Sequence, residues 1–522
     1  MILEWLNSRF FLIFLFPFIL GTLTVFSFQP FNLNYINFAI IPILFLLTTY
    51  TQKKSKNTFR KKPYLLNLFL IGYLFGVGFF LTGTYWISNS LTFDESFQFL
   101  IPISIIGLPL FLGLFFGVAN LIVGPFLRNN FTSILLFSSS LAFMDYLRAK
   151  IFTGFPWNLW AYTWSWKPEI LQSLFHLGFF SFNLFCIIIY CMPLLLIFRK
   201  KINFLLFSLL GFIFFGNYIY GSSIIKKNNK NLAKLELNLN NSIYTKIISP
   251  SFNLKYNLSD ADLSDNISSL IKYSDPDSQK KTLFVWPEGA FTGFNYEQIR
   301  EYKSLFEDAF SKNHLILFGS NTGQKSDDNN KVFNSLLVVD NKFDIVFQYN
   351  KNKLVPFGEF LPFENFLSTL GLKKITEGYG SFSRGVEGDI FILNNLKILP
   401  LICYEIIFPK FSQTQKNLII NISEDAWFGD TIGPDQHFAK AIFRAIESNV
   451  YLARSANKGF SAFIDNKGIV KKILKPSETG AIELNVPIIN NTQNKYKIDL
   501  IFFALLLTCV FTFYIFKKNE KK

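Results

Sequence analysis

Long apolar runs fill the first 220 residues, and short ones alternating with polar turns fill the next stretch, up to about residue 497. A bilayer-crossing helix needs about 20 mostly apolar residues. Stretches 10–28, 35–50, 64–87, 98–127, 131–147, 170–198, 203–220 and 500–516 meet that pattern, predicting eight spans. No small-residue cleavage site follows the first run and more spans succeed it, so it reads as a retained helix. After Tyr220, Asn, Lys, Asp and Ser take over, and the apolar runs shorten to strand length. Strands are expected at 282–286, 315–319, 335–339, 344–348, 397–403, 418–422, 451–455 and 460–464, with helices at 295–312 and 435–449. Such alternation points to layered α/β packing. The expected organisation is a membrane domain of seven helices over 1–220, an α/β domain over 221–497, and a last helix with a basic tail over 498–522.

Charge turns the span list into a topology. Short cytoplasmic loops collect Lys and Arg. Lys53, Lys54, Lys56, Arg60, Lys61 and Lys62 lie in one connection, Arg199, Lys200 and Lys201 in another, and Lys517, Lys518, Lys521 and Lys522 at the end. Loop 88–97 has no basic residue and carries Asp94 and Glu95. Eight spans from a cytoplasmic N-terminus put every basic cluster inside and segment 221–497 on the far side. The inner segments, with Arg9 and Arg128, hold +13 of the formal +15. The net charge is therefore a topology signal, and no external basic stripe supports nucleic-acid binding.

Composition agrees. The chain has 522 residues, 50% hydrophobic and 17% charged, with 66 Phe and mean hydropathy +0.29. Ordinary soluble domains carry about 25% charged residues, so a single soluble core is excluded, as are disorder and a disulfide-stapled fold. Loop 148–169 concentrates Trp157, Trp160, Tyr162, Trp164 and Trp166. It reads as an interfacial aromatic belt, with a lipid-facing site as the sharper alternative. The spans hold few charges, Asp145 being the main exception, which disfavours a transporter.

The chemistry is sparse and lies in the α/β segment. Cys403 is its lone cysteine; Cys186, Cys191 and Cys509 fall in expected spans. It follows the run ILPLI, at a strand end, where a nucleophile can face a cleft. A thiolate needs a base or a nearby cation. A Cys–His pair through His437 is the weaker option, because QHF at a helix start reads as a surface site. Glu288 follows the strand TLFVW, Lys351 follows DIVFQYN, and Glu359 sits in FGEFLPF, where a buried charge requires a partner. No His/Cys/Asp cluster has metal spacing, so no metal and no cofactor are expected.

Together WPE (286–288), KNKLVPFGE (351–359) and LICYE (401–405) resemble the Glu-Lys-Cys triad of the nitrilase, or carbon-nitrogen hydrolase, superfamily. NISEDAWFGDTIGPDQHFAKAIFRAIES (421–448), RSANKGFSAFID (454–465), GFPWNLWAY (154–162) and TYWIS (84–88) narrow the resemblance to its membrane-bound branch, the apolipoprotein N-acyltransferase family. The resemblance implies an α-β-β-α sandwich. It places the general base on Glu288, the lysine on Lys351 and the nucleophile on Cys403, with Glu359, Tyr404 and Glu405 at further active-site positions. Tyr256 stands in the stretch where the family usually has a substrate-contacting Trp, and Trp157 and Trp427 are further substrate-binding candidates. Glu424 replaces the Asn that usually precedes the Asp of DAWFGD.

The implied reaction moves an acyl chain from a phospholipid donor to the N-terminal amine of a diacylglyceryl-modified apolipoprotein. It runs through a Cys403 thioester, in the bacterial inner membrane, with a periplasmic catalytic domain and a cytoplasmic C-terminus. An apolar arm at 361–371 would admit acyl chains. The alternative is a membrane-tethered amidase or nitrilase using the same triad with water as second nucleophile.

Overall fold

The short apolar runs after residue 241 become strands that pack both faces. A computed structural model describes residues 8–58, 64–236, 242–255, 258–324, 331–364, 369, 381–489 and 498–519. The chain divides into two compact units. One is helical and comprises Met1–Ser88, Gln98–Ile224 and Asn494–Lys522; the other is α/β and comprises Asn89–Phe97 and Ile225–Gln493.

In the α/β unit the described strands are β1 (Ser242–Ser249), β2 (Thr282–Val285), β3 (His314–Gln324), β4 (Lys331–Val339), β5 (Ile345–Asn350), β6 (Phe391–Leu393), β7 (Leu396–Ile402), β8 (Leu418–Glu424), β9 (Tyr451–Asn457), β10 (Ser461–Ile464), β11 (Val470–Leu474) and β12 (Gly480–Pro487). They form two six-stranded sheets, ordered β12-β1-β2-β3-β4-β5 and β11-β10-β9-β8-β7-β6. The middle pairings β1–β2–β3 and β7–β8–β9 are parallel and the outer ones antiparallel. Alternation along β2 shows why both faces must be covered. Leu283 and Val285 enter the core between the sheets, with Leu317, Ile398 and Ile420. Phe284 and Trp286 point the other way, into a layer made by helices Asp260–Ser274, Tyr296–Arg300 and Lys303–Ala309. On the second sheet's outer side, helix Gly433–Ser448 lays Phe438 on Phe460 at 5.0 Å between ring centres. The layers are therefore α-β-β-α.

The eight expected strands are present. Four more, β1, β6, β11 and β12, and the helix Asp260–Ser274 were not anticipated. That helix does carry its signals: a Ser259/Asp262 capping box and Leu263, Ile267 and Leu270 on one face. The expected helix 295–312 is two short helices, broken at 301–302.

In the helical unit, six of the described helices are long and apolar enough to cross a membrane: Asn34–Lys54, Tyr64–Thr92, Glu95–Phe126, Phe179–Ile197, Lys201–Leu235 and Ile498–Lys517. Phe11–Ser27 is apolar but shorter. The helix Phe131–Lys150 is not among the six; four serines, Asp145 and Arg148 dilute its apolar stretch. Two boundaries move from their expected places. The run at 170–198 is not one helix, because Gly178 takes a left-handed φ of +76° and restarts the chain at Phe179. The run at 203–220 continues as helix Lys201–Glu236. Nothing in SIIKKNNKNLAKLE breaks a helix, and Leu232 buries in the core between the sheets. The change in composition at Tyr220 marks a new environment rather than a helix end.

The aromatic loop is also corrected. Trp157 and Trp160 are each 1% exposed, so they are core rather than an interfacial belt. Trp157 packs on Trp86 (4.7 Å) and Phe155, Trp160 on Phe79, and Trp164 on Tyr190. Trp166 alone of the four Trp residues is exposed. Asp145 and Arg148 hold this loop in place. They pair at 3.0 Å, and Arg148 Nη1 donates to the carbonyls of Phe155 and Trp157 at 2.7 Å. Asn183 donates to the other Asp145 oxygen. The one conspicuous charge of the expected spans is thus a structural clamp.

Candidate active site

Three strand ends deliver the sequence candidates to one place. β2 runs into Pro287 and a 3₁₀ turn starting at Glu288. Its approach is fixed by Trp286, fully buried among Phe306, Phe310 and Phe318, with its indole N–H on Ser274 Oγ at 2.9 Å. β5 ends at Asn350, and the Lys351 N–H continues the ladder to the Asn334 carbonyl. β7 ends at Ile402, and Cys403 opens the 3₁₀ turn Cys403–Ile407.

Cys403 has φ +46°, a left-handed conformation that costs a non-glycine residue on the order of 1 kcal/mol. The turn opens at Cys403, whose side chain is half-buried. Burial, with the Glu288 carboxylate beside it, pushes the thiol up, and Lys351 only partly offsets this. The resting side chain is therefore held as a thiol.

Lys351 is 1% exposed and lies between two carboxylates: Nζ is 2.9 Å from Glu359 Oε1 and 3.4 Å from Glu288 Oε1. Burial works against its charge, but Glu288 and Glu359 outweigh it and hold the lysine above its ordinary value. Asn334 Nδ2 bridges the same two carboxylates, donating at 2.8 Å to Glu288 and 2.7 Å to Glu359. The Val355 N–H donates to the other Glu359 oxygen. Glu359 thus has the partners its burial demands.

Glu405 is fully buried and ties the Cys403 turn to the Lys351 loop. It accepts from the N–H groups of Ile402 (2.9 Å), Asn352 (2.8 Å) and Lys353 (3.0 Å), and from the Tyr349 hydroxyl (2.8 Å). Burial raises its carboxyl despite these donors. Tyr404 is half-buried and packs edge-on against Phe408.

Behind the nucleophile lies a second polar cluster. Ser423, which bears on the Cys403 thiol, donates to Asp425 Oδ1 at 2.6 Å. Asp425 also meets Arg454 Nη2 at 2.7 Å and His437 Nδ1 at 3.0 Å. Arg454 further donates to Asn421 and to the Phe460 carbonyl. His437 is 1% exposed, which corrects its reading as a surface residue. Burial pushes its imidazole down to about 4. For Asp425 burial acts to raise the carboxyl, but Arg454 and His437 prevail and hold it below the carboxylate range. His437 thus faces Asp425 and Arg454.

The remaining candidates lie elsewhere or are not described. Trp427 is half-buried, with its ring edge-on to Phe93 at 5.4 Å and its carbonyl accepting from Asn89 Nδ2. Trp157 belongs to the helical unit's core. Tyr256 lies outside the described residues, as does most of the arm at 361–371. Sequence reasoning missed Asn334 and Ser423. A polar pair, Asn334 and Ser335, inside the run KVFNSLLVV was the available signal for Asn334.

Comparisons with known proteins identify both units of the chain. Residues 20–182 match the apolipoprotein N-acyltransferase N-terminal domain, and residues 252–488 match the carbon-nitrogen hydrolase family. An apolipoprotein N-acyltransferase from Brucella melitensis is 30% identical over 486 residues, spanning 90% of this chain and 89% of its own. One from Rickettsia prowazekii is 32% identical over 454 residues, 84% of this chain and 87% of its own. A carbon-nitrogen hydrolase superfamily protein from Xanthomonas campestris overlays 47% of this chain and 90% of its own, with TM-score 0.34 and 16% identity. With a multi-pass helical unit and a carbon-nitrogen hydrolase unit in one chain, and with this identity over nearly its full length, the protein belongs to the apolipoprotein N-acyltransferase family.

Proposed function

We propose that this enzyme transfers an acyl chain from a phospholipid to the N-terminal α-amine of a diacylglyceryl-modified apolipoprotein, with Cys403 as nucleophile, Glu288 as base and Lys351 as electrostatic stabiliser. The observation that carries the assignment is the Lys351 ammonium set between Glu288 and Glu359, next to a strained Cys403.

Glu288 takes the Cys403 proton as sulfur attacks the ester carbonyl. The negative charge moves from carboxylate to sulfur and then to the carbonyl oxygen, and Lys351 faces it throughout. Lys351 and the backbone N–H beside Cys403 stabilise the tetrahedral oxyanion. Collapse breaks the ester C–O bond, Glu288 returns the proton to the leaving oxygen, and a lysophospholipid departs. The thioester remains. The apolipoprotein amine then attacks with Glu288 as base, the C–S bond breaks, and the amide forms while Cys403 regains its proton. Two half-reactions at one nucleophile give ping-pong kinetics. Glu359 and Asn334 fix Lys351 and Glu288, and Glu405 fixes the two loops to each other. Tyr404 supports the site beside the nucleophile, and Tyr256 and Trp427 complete the set as substrate-side residues, while the burial of Trp157 in the helical unit's core speaks against a substrate contact there.

The wider assignment is eight spans with Phe11–Ser27 and Phe131–Lys150 added to the six. The membrane domain is 1–220, the periplasmic catalytic domain 221–497, and the last helix with its cytoplasmic tail 498–522, in a bacterial inner membrane. The basic clusters support this orientation. Mass spectrometry of a diacylated lipopeptide incubated with the enzyme and a defined phospholipid tests the activity. A gain of one acyl group on the α-amine is expected. Release of free fatty acid without that gain sinks the proposal.

A further inference from the structure

The mechanism leaves Glu424, the last residue of β8, without a role, yet it is built into the site. It is 3% exposed. Its backbone N–H donates to Glu288 Oε2 at 3.0 Å. Its own Oε1 accepts from the Ala426 N–H at 3.0 Å, and Asn457 Nδ2 reaches Oε1 and Oε2 at 3.0 and 2.9 Å. Asn457 then clamps Phe252 from both sides, accepting from its N–H at 2.7 Å and donating to its carbonyl at 3.0 Å. One residue therefore joins the two: its backbone N–H holds the base, and its carboxyl is tied through Asn457 to the segment that follows β1.

The carboxyl also fills the space beside Gly289, where a Cβ would overlap Glu424 Oε2. The residue after the base has no room for a side chain while Glu424 stands there. The charged groups bearing on Glu424 are Glu288, from the turn after β2, and Asp425, its neighbour; both are acidic. Burial, reinforced by these two, pushes its carboxyl up to about 8.

We propose that Glu424 is a positioning residue for acyl transfer: its buried carboxyl, packed beside Gly289 and tied through Asn457 to Phe252, fixes the turn that carries Glu288 and the backbone N–H that holds it. The inference rests on Glu288 as the base. At neutral pH Glu424 keeps its proton and adds no charge to the site. As pH rises through about 8, its ionisation puts a second negative charge beside Glu288 in a buried position, and the arrangement loosens.

The test uses the full-length protein with two readouts. The first is the rate of Cys403 alkylation by iodoacetamide at pH 7, followed on its own peptide by mass spectrometry. It needs no acyl substrate and so stands apart from the acyl-transfer reading. The second is kcat for acyl transfer between pH 6 and 9. Glu424→Ala should slow alkylation and lower kcat about tenfold, and Gly289→Ala should do the same by displacing the carboxyl. Glu424→Gln keeps the shape without the charge. Its kcat relative to wild type should be near one at pH 6–7 and climb as pH passes about 8. Wild-type alkylation in a folded Glu424→Ala, or a Glu424→Gln ratio flat across the pH range, would overturn the proposal.

Discussion

Two buried cation clusters bear on Cys403, one around Lys351 and one around Arg454 and Asp425, and their surroundings differ by one charge. Lys351 has two carboxylates, Glu288 and Glu359. Arg454 has one, Asp425, shared with an imidazole that burial keeps neutral at neutral pH. The Arg454 set is balanced: its cation and anion satisfy each other, and the guanidinium is spread over Asn421 and Phe460 as well. The Lys351 set carries one carboxylate more than its cation neutralises. That surplus can accept a proton from a neighbouring thiol without changing the cluster's total charge. The comparison teaches that burial alone does not mark a catalytic cluster. What marks it is an unspent charge beside a nucleophile.

Breaking the first cluster should cost the most. Lys351→Met leaves two carboxylates with no cation and no oxyanion partner. We expect kcat to fall 10³-fold or more, read in single-turnover acylation. A fall of less than tenfold would deny Lys351 its role.

Breaking the second should cost stability instead. Arg454→Met strands the buried Asp425 charge, a penalty of about 3–5 kcal/mol. Thermal unfolding of the detergent-solubilised protein should show it, with turnover per folded molecule retained far better than in Lys351→Met. Equal losses of turnover in the two variants would erase the distinction.

Acid sharpens it further. His437 in the folded protein titrates at about 4, below the value of about 6.5 expected unfolded. Between those values the unfolded chain binds the extra proton, so stability falls as pH drops through that window. Asp425, held low, keeps its contribution down to the ordinary carboxylate range and loses it below. The melting temperature should therefore drop between pH 6.5 and 4, and His437→Gln should remove most of the slope. The smallest effect is expected for Tyr349→Phe, which takes one of four donors from Glu405; kcat should fall less than tenfold.

Much of this is legible in the sequence alone. Each triad residue directly follows an apolar run that becomes a buried parallel or edge strand, and strand ends are where α/β folds place chemistry. The long helices were legible because apolar length is a one-dimensional property. What escaped needed three dimensions. β1 (SIYTKIIS) mixes Lys and Thr into its pattern and is a strand because β12 and β2 flank it. His437 looked exposed beside Gln436 and Asp435, but Arg454, 17 residues on, folds back over it. The Trp-rich loop looked interfacial because its composition fits a membrane surface equally well. The Asp145–Arg148 clamp that turns it inward spans only one helical turn, yet its meaning depends on the carbonyls of Phe155 and Trp157.

The central claim is that Cys403 carries the acyl group between the two substrates. The most direct measurement is mass analysis of the full-length protein after incubation with a phospholipid bearing an isotopically labelled acyl chain and no acceptor. The account predicts one labelled acyl group on the Cys403 peptide, released by neutral hydroxylamine, discharged to amide by a diacylglyceryl lipopeptide, and missing from Cys403→Ala. Labelled lipopeptide formed by Cys403→Ala at the wild-type rate, or an acyl group mapped to another residue, would contradict it.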